Sequence, residues 1–241
     1  MTDLAKQLKE GTKESHSAAE NTKFVASFLR GVLDPEEYRK LITDFYYVYS
    51  TMEKLIQETR DPLARVLQQW QVDLIRTTGL EQDLRYYYGP MWRSEIKPSE
   101  PCHTYIDRLE EVAEHNPYLL IAHHYTRYIG DLSGGQILKN IAQNALQPRE
   151  GEGLKFYDFP RIDNAKEWKV KYRSTLDTLE LDQSQIDALI AEANYAFRLN
   201  MYMFDELQGS ATKSLIKVLC GLVREKILGQ KNPPKWRVLI K

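Results

Sequence analysis

Three glycines, Gly130, Gly134 and Gly135, fall within Tyr125-Thr126-Arg127-Tyr128-Ile129-Gly130-Asp131-Leu132-Ser133-Gly134-Gly135-Gln136, inside a stretch whose remaining pattern is helical. Each glycine in a helix interior costs about 0.8–1 kcal/mol relative to alanine, so the trio opposes the helix by roughly 2–3 kcal/mol. A chain that accepts this cost needs bare backbone close to something at that place. On a wheel of about 100° per residue, Arg127, Gly130, Asp131, Gly134, Gly135 and Leu138 share one broad face. That face is flat, with an aspartate one turn beyond an arginine. It has the form of a floor for a large planar ligand.

Around this segment helix signals recur and β-type alternation is nearly absent. Asp34-Pro35-Glu36-Glu37 supplies an N-cap, a proline at the first helical position and an acidic third position. The apolar stripe Tyr38, Leu41, Ile42, Phe45, Val48, Tyr49, Met52, Leu55 and Ile56 follows at helical spacing, before Asp61-Pro62 stops it. A shorter stripe, Tyr105, Ile106, Leu109, Val112 and Ala113, comes after Pro101. Asn116-Pro117 opens the glycine-bearing helix, expected to run to about Pro148 with a bend at the glycines. Asp182 with Gln185 opens another helix, ending near Gly209. Between Pro148 and Asp163 the pattern predicts a mobile loop. The first helix is expected to run unbroken from Asp3 to Ala26.

These signals predict an all-α domain of about seven helices over residues 1–210. The tail, residues 211–241, carries eight basic residues against the single acid Glu225, and is expected to be partly helical and partly disordered. With 241 residues, 42% hydrophobic and 28% charged, the chain is long enough for one domain with a substantial core. A net charge of −1 gives no global field for nucleic acid. Cys102 and Cys220 offer neither a disulfide framework nor zinc-ligand spacing, which suits a reducing compartment. No leader is evident, and the longest apolar run near the C-terminus, Val218 to Val223, is far short of the roughly 20 residues that span a bilayer. The expectation is a soluble intracellular protein without a transmembrane segment.

A side chain that could oppose the glycine floor is His16, at the edge of the apolar side formed by Leu4, Ala5, Leu8, Thr12 and Ala19. On an unbroken helix Lys9 lies two turns earlier, ~10.5 Å away, and about 20° around the wheel. That spacing suits a ring whose metal lies at His16 while an acidic substituent at its rim meets Lys9. A core-edge histidine is the plainer reading of His16 from spacing alone. No HxxxH or HExxH pair is present, and the lone ExxH, Glu100 to His103, has no second one with which to build a metal centre from protein ligands only. Asn200 lies within an apolar stripe of Ala193, Phe197, Phe204 and Leu207, where an unpaired amide would be costly. Tyr49 and Tyr105 lie on apolar stripes where most tyrosines simply pack, though their hydroxyls need partners. Lys9, Lys13, Lys169, Lys171 and Arg173 form either a basic rim or an ordinary solvated face.

Leu8-Lys9-Glu10-Gly11-Thr12-Lys13-Glu14-Ser15-His16-Ser17-Ala18-Ala19-Glu20-Asn21, together with Tyr125 to Gln136, resembles the two signature segments of heme oxygenase. The likeness continues at Glu81-Gln82-Asp83-Leu84, Tyr87-Tyr88-Gly89-Pro90, Leu119 to His123, Gln136 to Lys139 and Glu192-Ala193-Asn194, covering roughly residues 3–208. The wording is most similar to the enzymes of cyanobacteria and algal plastids. The resemblance implies a heme sandwiched between a proximal N-terminal helix and a glycine-kinked distal helix. His16 would ligate the heme iron, with Glu20 as its hydrogen-bonding support. Gly130, Gly134 and Gly135 would let the distal helix lie over the heme, and Phe197 would contact it. Asp131 would anchor a water network delivering protons to the oxygen chemistry, with Arg127, Tyr49, Tyr105 and Asn200 as its partners. Lys9, Lys169, Arg173 and Tyr125 would clamp the propionates.

The implied activity is oxidation of heme, which is both cofactor and substrate, by O2 and reducing electrons to biliverdin, carbon monoxide and ferrous iron. Ring opening is expected at the α-meso carbon, feeding bilin synthesis. The chain has no flavin or nicotinamide motif, so electrons must come from a partner. The basic rim suggests an acidic carrier such as ferredoxin, and a bilin reductase is a possible downstream partner. The implied location is the cytoplasm or a plastid stroma. The alternative is a heme carrier or sensor on the same fold that binds without degrading. Val66 to Leu74 departs from the family's wording at a place away from the proposed site. Val25 stands where some relatives have methionine.

Overall fold

A computed structural model describes residues 3–207. These residues fold into twelve α-helices and three short 3-10 turns, with no strand among them. In chain order the helices are α1 (Leu4–Gly11), α2 (Lys13–Glu20), α3 (Lys23–Leu29), α4 (Pro35–Glu58), α5 (Gln71–Leu74), α6 (Thr77–Tyr88), α7 (Trp92–Glu95), α8 (Glu100–His115), α9 (Leu120–Asp131), α10 (Gly135–Leu146), α11 (Ala165–Asp177) and α12 (Gln183–Glu206). The predicted basic tail, residues 211–241, lies outside the described residues.

Two 24-residue helices, α4 and α12, organise the rest. Both start where their sequence signals lie. The Asp34 side chain accepts from the Glu36 N–H at 2.8 Å with Pro35 at the first position, and Asp182 and Gln185 form a reciprocal capping box. Helix α4 packs against α6 and α8, while α12 packs against α9, α8, α2 and α1. Ser99 caps α8 and is itself held by Asp44 of α4, through its N–H at 3.0 Å and its hydroxyl at 2.7 Å. The core is apolar, with Leu41, Ile42, Val48 and Met52 of α4, and Leu189, Ala193, Ala196 and Leu199 of α12, essentially inaccessible.

The expected single helix from Asp3 to Ala26 is instead three helices. Thr12 leaves helical geometry (φ −108°, ψ 3°), and its hydroxyl donates to the Leu8 carbonyl at 2.7 Å, offering the backbone a local alternative to the helix ladder. Thr22 is extended (φ −59°, ψ 148°) and starts α3. Lys9 and His16 therefore belong to different helices, and the 20° relation between them does not carry across the break.

The segment expected to be a mobile loop between Pro148 and Asp163 is tied into the core. Phe156 and Tyr157 are buried. Asp83 of α6 accepts from the Lys155 and Phe156 N–H groups, each at 2.7 Å. Gly153 makes the approach possible: its φ is +73°, and a Cβ there would lie 2.9 Å from the Tyr86 ring. Burial pushes the Asp83 carboxyl up to about 7, against the lowering effect of those two N–H bonds. Below about pH 4 the folded and unfolded chains are both protonated at this group. Between about 4 and 7 only the unfolded chain gives up the proton, so this contribution to stability falls as pH rises through that window. Asp83→Ala leaves two N–H groups without acceptors. The expected loss is about 2–4 kcal/mol by urea unfolding, with a flatter dependence on pH between 4 and 7.

Candidate functional site

Every residue of α9 from Leu120 to Ile129 is buried, which makes it a central helix. Gly130 is the first to emerge. The predicted bend is a full break: α9 ends at Asp131, Leu132 to Gly134 turn, and α10 starts at Gly135. Gly134 N–H reaches back to the Gly130 carbonyl at 2.8 Å, which folds the two glycines into one short ledge. A Cβ on Gly130 would meet nothing within 4 Å, and one on Gly134 would meet only the Gly130 carbonyl oxygen at 3.8 Å. The ledge is thus bare backbone with open space before it. Gly135 differs from the expectation, because its missing side chain faces the Tyr157 ring at 3.6 Å and the Asp131 Cβ at 3.9 Å. It serves packing behind the ledge.

Beside the ledge lies the polar network. The Tyr49 hydroxyl donates to Asp131 Oδ2, and Arg127 Nε donates to the Tyr49 hydroxyl at 2.9 Å. Arg127 Nη1 donates to Asn200 Oδ1, while its Nη2 lies 3.8 Å from Asp131 Oδ1. Asn200 Nδ2 donates to the Ala196 carbonyl at 2.7 Å and faces the Tyr105 hydroxyl. The five polar residues singled out in the sequence therefore meet in one continuous cluster drawn from α4, α8, α9 and α12. Phe45 completes it, its ring 4.5 Å from the Arg127 guanidinium carbon. Burial pushes the Asp131 carboxyl up from the ordinary aspartate range, and Arg127, the Tyr49 hydrogen bond and Arg76 pull it back. Burial also raises Tyr49 strongly, so its hydroxyl remains a donor.

His16 lies on α2, a helix with no buried residue, and its side chain is 56% exposed. Its Nδ1 lies 3.8 Å from Glu20 Oε2, and its ring meets Phe197 of α12 edge-on at 5.8 Å. Phe197 and Asn200, three residues apart, share a helix face. The His16 ring and the Arg127 guanidinium thus converge on the same turn of α12. Helix α2 is seated there by Asn194, which accepts from the Ser15 hydroxyl at 2.6 Å and donates to the Gly11 carbonyl at 2.9 Å.

The basic residues divide. Arg173 hydrogen-bonds the Tyr125 hydroxyl. Lys169 reaches the α9–α10 turn, donating to the Ser133 hydroxyl at 3.0 Å and contacting the Leu132 carbonyl at 3.5 Å. Burial, and then the neighbouring Arg173, lower the Lys169 ammonium. Lys9 is exposed on α1, which packs on the α11 helix that carries Lys169 and Arg173.

Sequence reasoning gave no role to Arg76, Asn194, His123 or Glu192. Arg76 is 2% exposed and donates to the Phe156 carbonyl at 2.8 Å behind Asp131. His123 and Glu192 extend the network away from the ledge. Nothing at Arg76 stands out locally, whereas Asn194, His123 and Glu192 fall in the segments that carried the family resemblance.

The described residues form an all-helical bundle with a bare glycine ledge beside an Asp–Tyr–Arg network and a histidine on a separate helix. A family model described as Heme oxygenase matches residues 2–206, and the chain belongs to the heme oxygenase family. It is similar to the heme oxygenase of Porphyra purpurea, at 46% identity over 93% of this chain and 95% of that protein. Heme oxygenase 1 of Synechocystis is 47% identical over 94% of both chains. A crystal structure of the Synechocystis heme oxygenase-1 in complex with heme superposes with a TM-score of 0.87 at 48% identity, covering 92% of this chain and all of that one. Among the described residues no helix is long and apolar enough to cross a membrane.

Proposed function

We propose that this chain binds heme on the Gly130–Gly134 ledge and degrades it to biliverdin, with His16 as the iron ligand. The observation that carries this reading is the pairing of a bare backbone ledge with the Tyr49–Asp131–Arg127–Asn200 network beside it. The ledge fits a flat macrocycle, because Cβ atoms at both glycines would occupy the space it needs. Heme, when bound, supplies the iron that activates O2 and the ring that is oxidised. The protein contributes the rest.

His16 would hold the metal through one imidazole nitrogen, while its Nδ1 faces Glu20 Oε2 at 3.8 Å. Tyr49 and Arg127 fix the Asp131 carboxyl, and burial raises its pKa from the ordinary aspartate range, which favours its taking up a proton beside the ledge. Asn200 and Tyr105 hold Arg127 in place. Lys169 and Arg173 stand together on α11, where Arg173 disfavours the Lys169 charge, and an anion such as a propionate would relieve their mutual repulsion. Tyr125, through Arg173, and the exposed Lys9 complete that rim. Gly135 and Phe197 shape the pocket, Gly135 from behind.

The electron donor is proposed to be an acidic protein of the ferredoxin type, attracted by Lys9, Lys13, Lys169, Lys171 and Arg173. The product would pass to a bilin reductase, and the cytoplasm or a plastid stroma is the proposed setting. The test is an optical spectrum of the chain with one equivalent of heme, followed in air with ferredoxin, its reductase and NADPH. Loss of the Soret band with a rising red bilin band, and chromatography giving the α isomer, is the expected result. A stable heme spectrum under confirmed electron delivery would identify a carrier or sensor instead. Turnover with ferredoxin should fall several-fold as salt rises from roughly 0.05 to 0.5 M, since docking charges are then screened. Salt-insensitive turnover would remove electrostatic docking from the account.

A further inference from the structure

Two hydrogen-bond arms leave Arg127. The short one runs through Tyr49 to Asp131. The long one runs away from the ledge, through Asn200 and Tyr105 to His123, whose Nδ1 lies 3.3 Å from the Tyr105 hydroxyl. The other ring nitrogen of His123, Nε2, lies 2.8 Å from Glu192 Oε1. Arg108 grips the same carboxylate in a two-point contact, Nε to Oε1 at 3.0 Å and Nη2 to Oε2 at 2.5 Å. Arg108 also pairs with the exposed Glu111 at 2.7 Å, and lines a surface cleft with Thr104, Asp107 and Tyr195. The arm thus spans the distance from a surface cleft to the catalytic network, although His123 is fully buried and Glu192 is 4% exposed.

The chemistry of the donors gives this arm one direction. Arg108 can only donate and an ionised Glu192 can only accept, so His123 Nε2 carries the proton shared with Glu192. At the other end Arg127 takes Asn200 Oδ1, so Asn200 presents its Nδ2 to Tyr105, and the Tyr105 hydroxyl hydrogen is left to point at His123 Nδ1 as its acceptor. The Tyr105 oxygen is left to accept from Asn200 Nδ2, which turns Asn200 Oδ1 toward Arg127. Burial would raise Glu192, but the bonds from His123 and Arg108 prevail and hold it down to about 2.

We propose that Glu192 is a positioning residue for heme oxidation. Through the His123 tautomer and Tyr105 it sets the orientation of Asn200, and so the placement of the Arg127 guanidinium against Tyr49 and Asp131. The proposal rests on the heme-oxygenase reading of the Asp131 network. Glu192→Gln is the sharp test. Arg108 keeps the glutamine carbonyl, so the amide NH2 faces His123, Nε2 becomes an acceptor and the proton moves to Nδ1. Tyr105 then receives donors from both sides.

The experiment combines 15N NMR of His123 in the full heme-free chain, assigned with His123→Asn, with heme titration and biliverdin turnover. Wild type is expected to carry the proton on Nε2 and Glu192→Gln on Nδ1. Turnover should fall roughly 3- to 30-fold with heme affinity unchanged. In a Tyr105→Phe background the same substitution should cost nothing further. Glu111→Gln, which removes only the exposed partner of Arg108, should leave tautomer and turnover at wild-type values. An unchanged tautomer in Glu192→Gln, a reversed tautomer with full turnover, or an additive cost in Tyr105→Phe would each overturn the proposal. If Glu192→Gln does not fold, the wild-type spectrum decides, since a proton on Nδ1 contradicts the stated direction. A wild type that makes no biliverdin fails the heme-oxygenase reading instead, and the heme-free NMR result distinguishes the two failures.

Discussion

Asp131→Ala is expected to lower biliverdin formation by about a hundredfold or more while heme binds with close to wild-type affinity. Among the described residues Asp131 is the carboxylate that meets Tyr49 and Arg127, at the end of the ledge-forming helix. Its removal takes away the carboxyl whose pKa burial raises above the ordinary aspartate range, which favours proton uptake beside the ledge. In the proposed site heme is held by His16, the bare ledge and the cationic rim, none of which this substitution changes. Asp131→Asn keeps the shape and the Tyr49 contact but cannot pass a proton, and it should be almost as impaired. The readouts are heme titration and chromatographed biliverdin. Full biliverdin yield from Asp131→Ala would end the proposed role.

His16→Ala is expected to abolish turnover and to weaken heme binding by at least about 100-fold, because removal of even a supporting partner of a metal ligand typically costs 10–100-fold. Restoration by added imidazole follows from geometry. The side chain lies on a helix without buried residues and is 56% exposed, so its loss opens a solvent-accessible hole rather than a collapsing core cavity. Millimolar imidazole should therefore recover part of the optical spectrum and part of the turnover. Glu20→Ala should cost much less, since its 3.8 Å contact with His16 is more than half exposed. A His16→Ala protein with wild-type heme spectrum and turnover would contradict the assignment.

The parts of this structure that were legible in the sequence are those fixed by local chemistry. Asp34-Pro35 and Asp182 with Gln185 mark helix starts because capping depends on residues two or three apart. Asn200 announces itself as an amide on an apolar stripe, and the structure gives it three partners. The grouping of Tyr49, Tyr105, Arg127, Asp131 and Asn200 followed from the family resemblance and from no spacing rule. Other features depend on contacts between distant residues. The break at Thr12 is stabilised by Asn194, whose hydrogen bond to Gly11 joins residues 183 apart in the chain. The 148–163 segment looks like a loop until Asp83 and the close seat at Gly153 are in place. Gly135 reads as part of the ledge on a regular wheel, and the turn before it rotates it inward. His123 has no local pattern that assigns it a role, because its partner is Glu192, 69 residues away.

The central claim is that the glycine ledge is open because heme must lie against it. Gly130→Ala tests that most directly, with the thermal midpoint of the heme-free chain and biliverdin turnover measured on the same protein. Among the described residues nothing beyond its own stretch of helix backbone lies within 4 Å of the added methyl group, so the heme-free chain should hold or gain stability, by up to about 1 kcal/mol from helix propensity. Turnover should fall about 10- to 100-fold as the ring is displaced from the ledge. A stabilised Gly130→Ala protein with wild-type turnover would contradict the account.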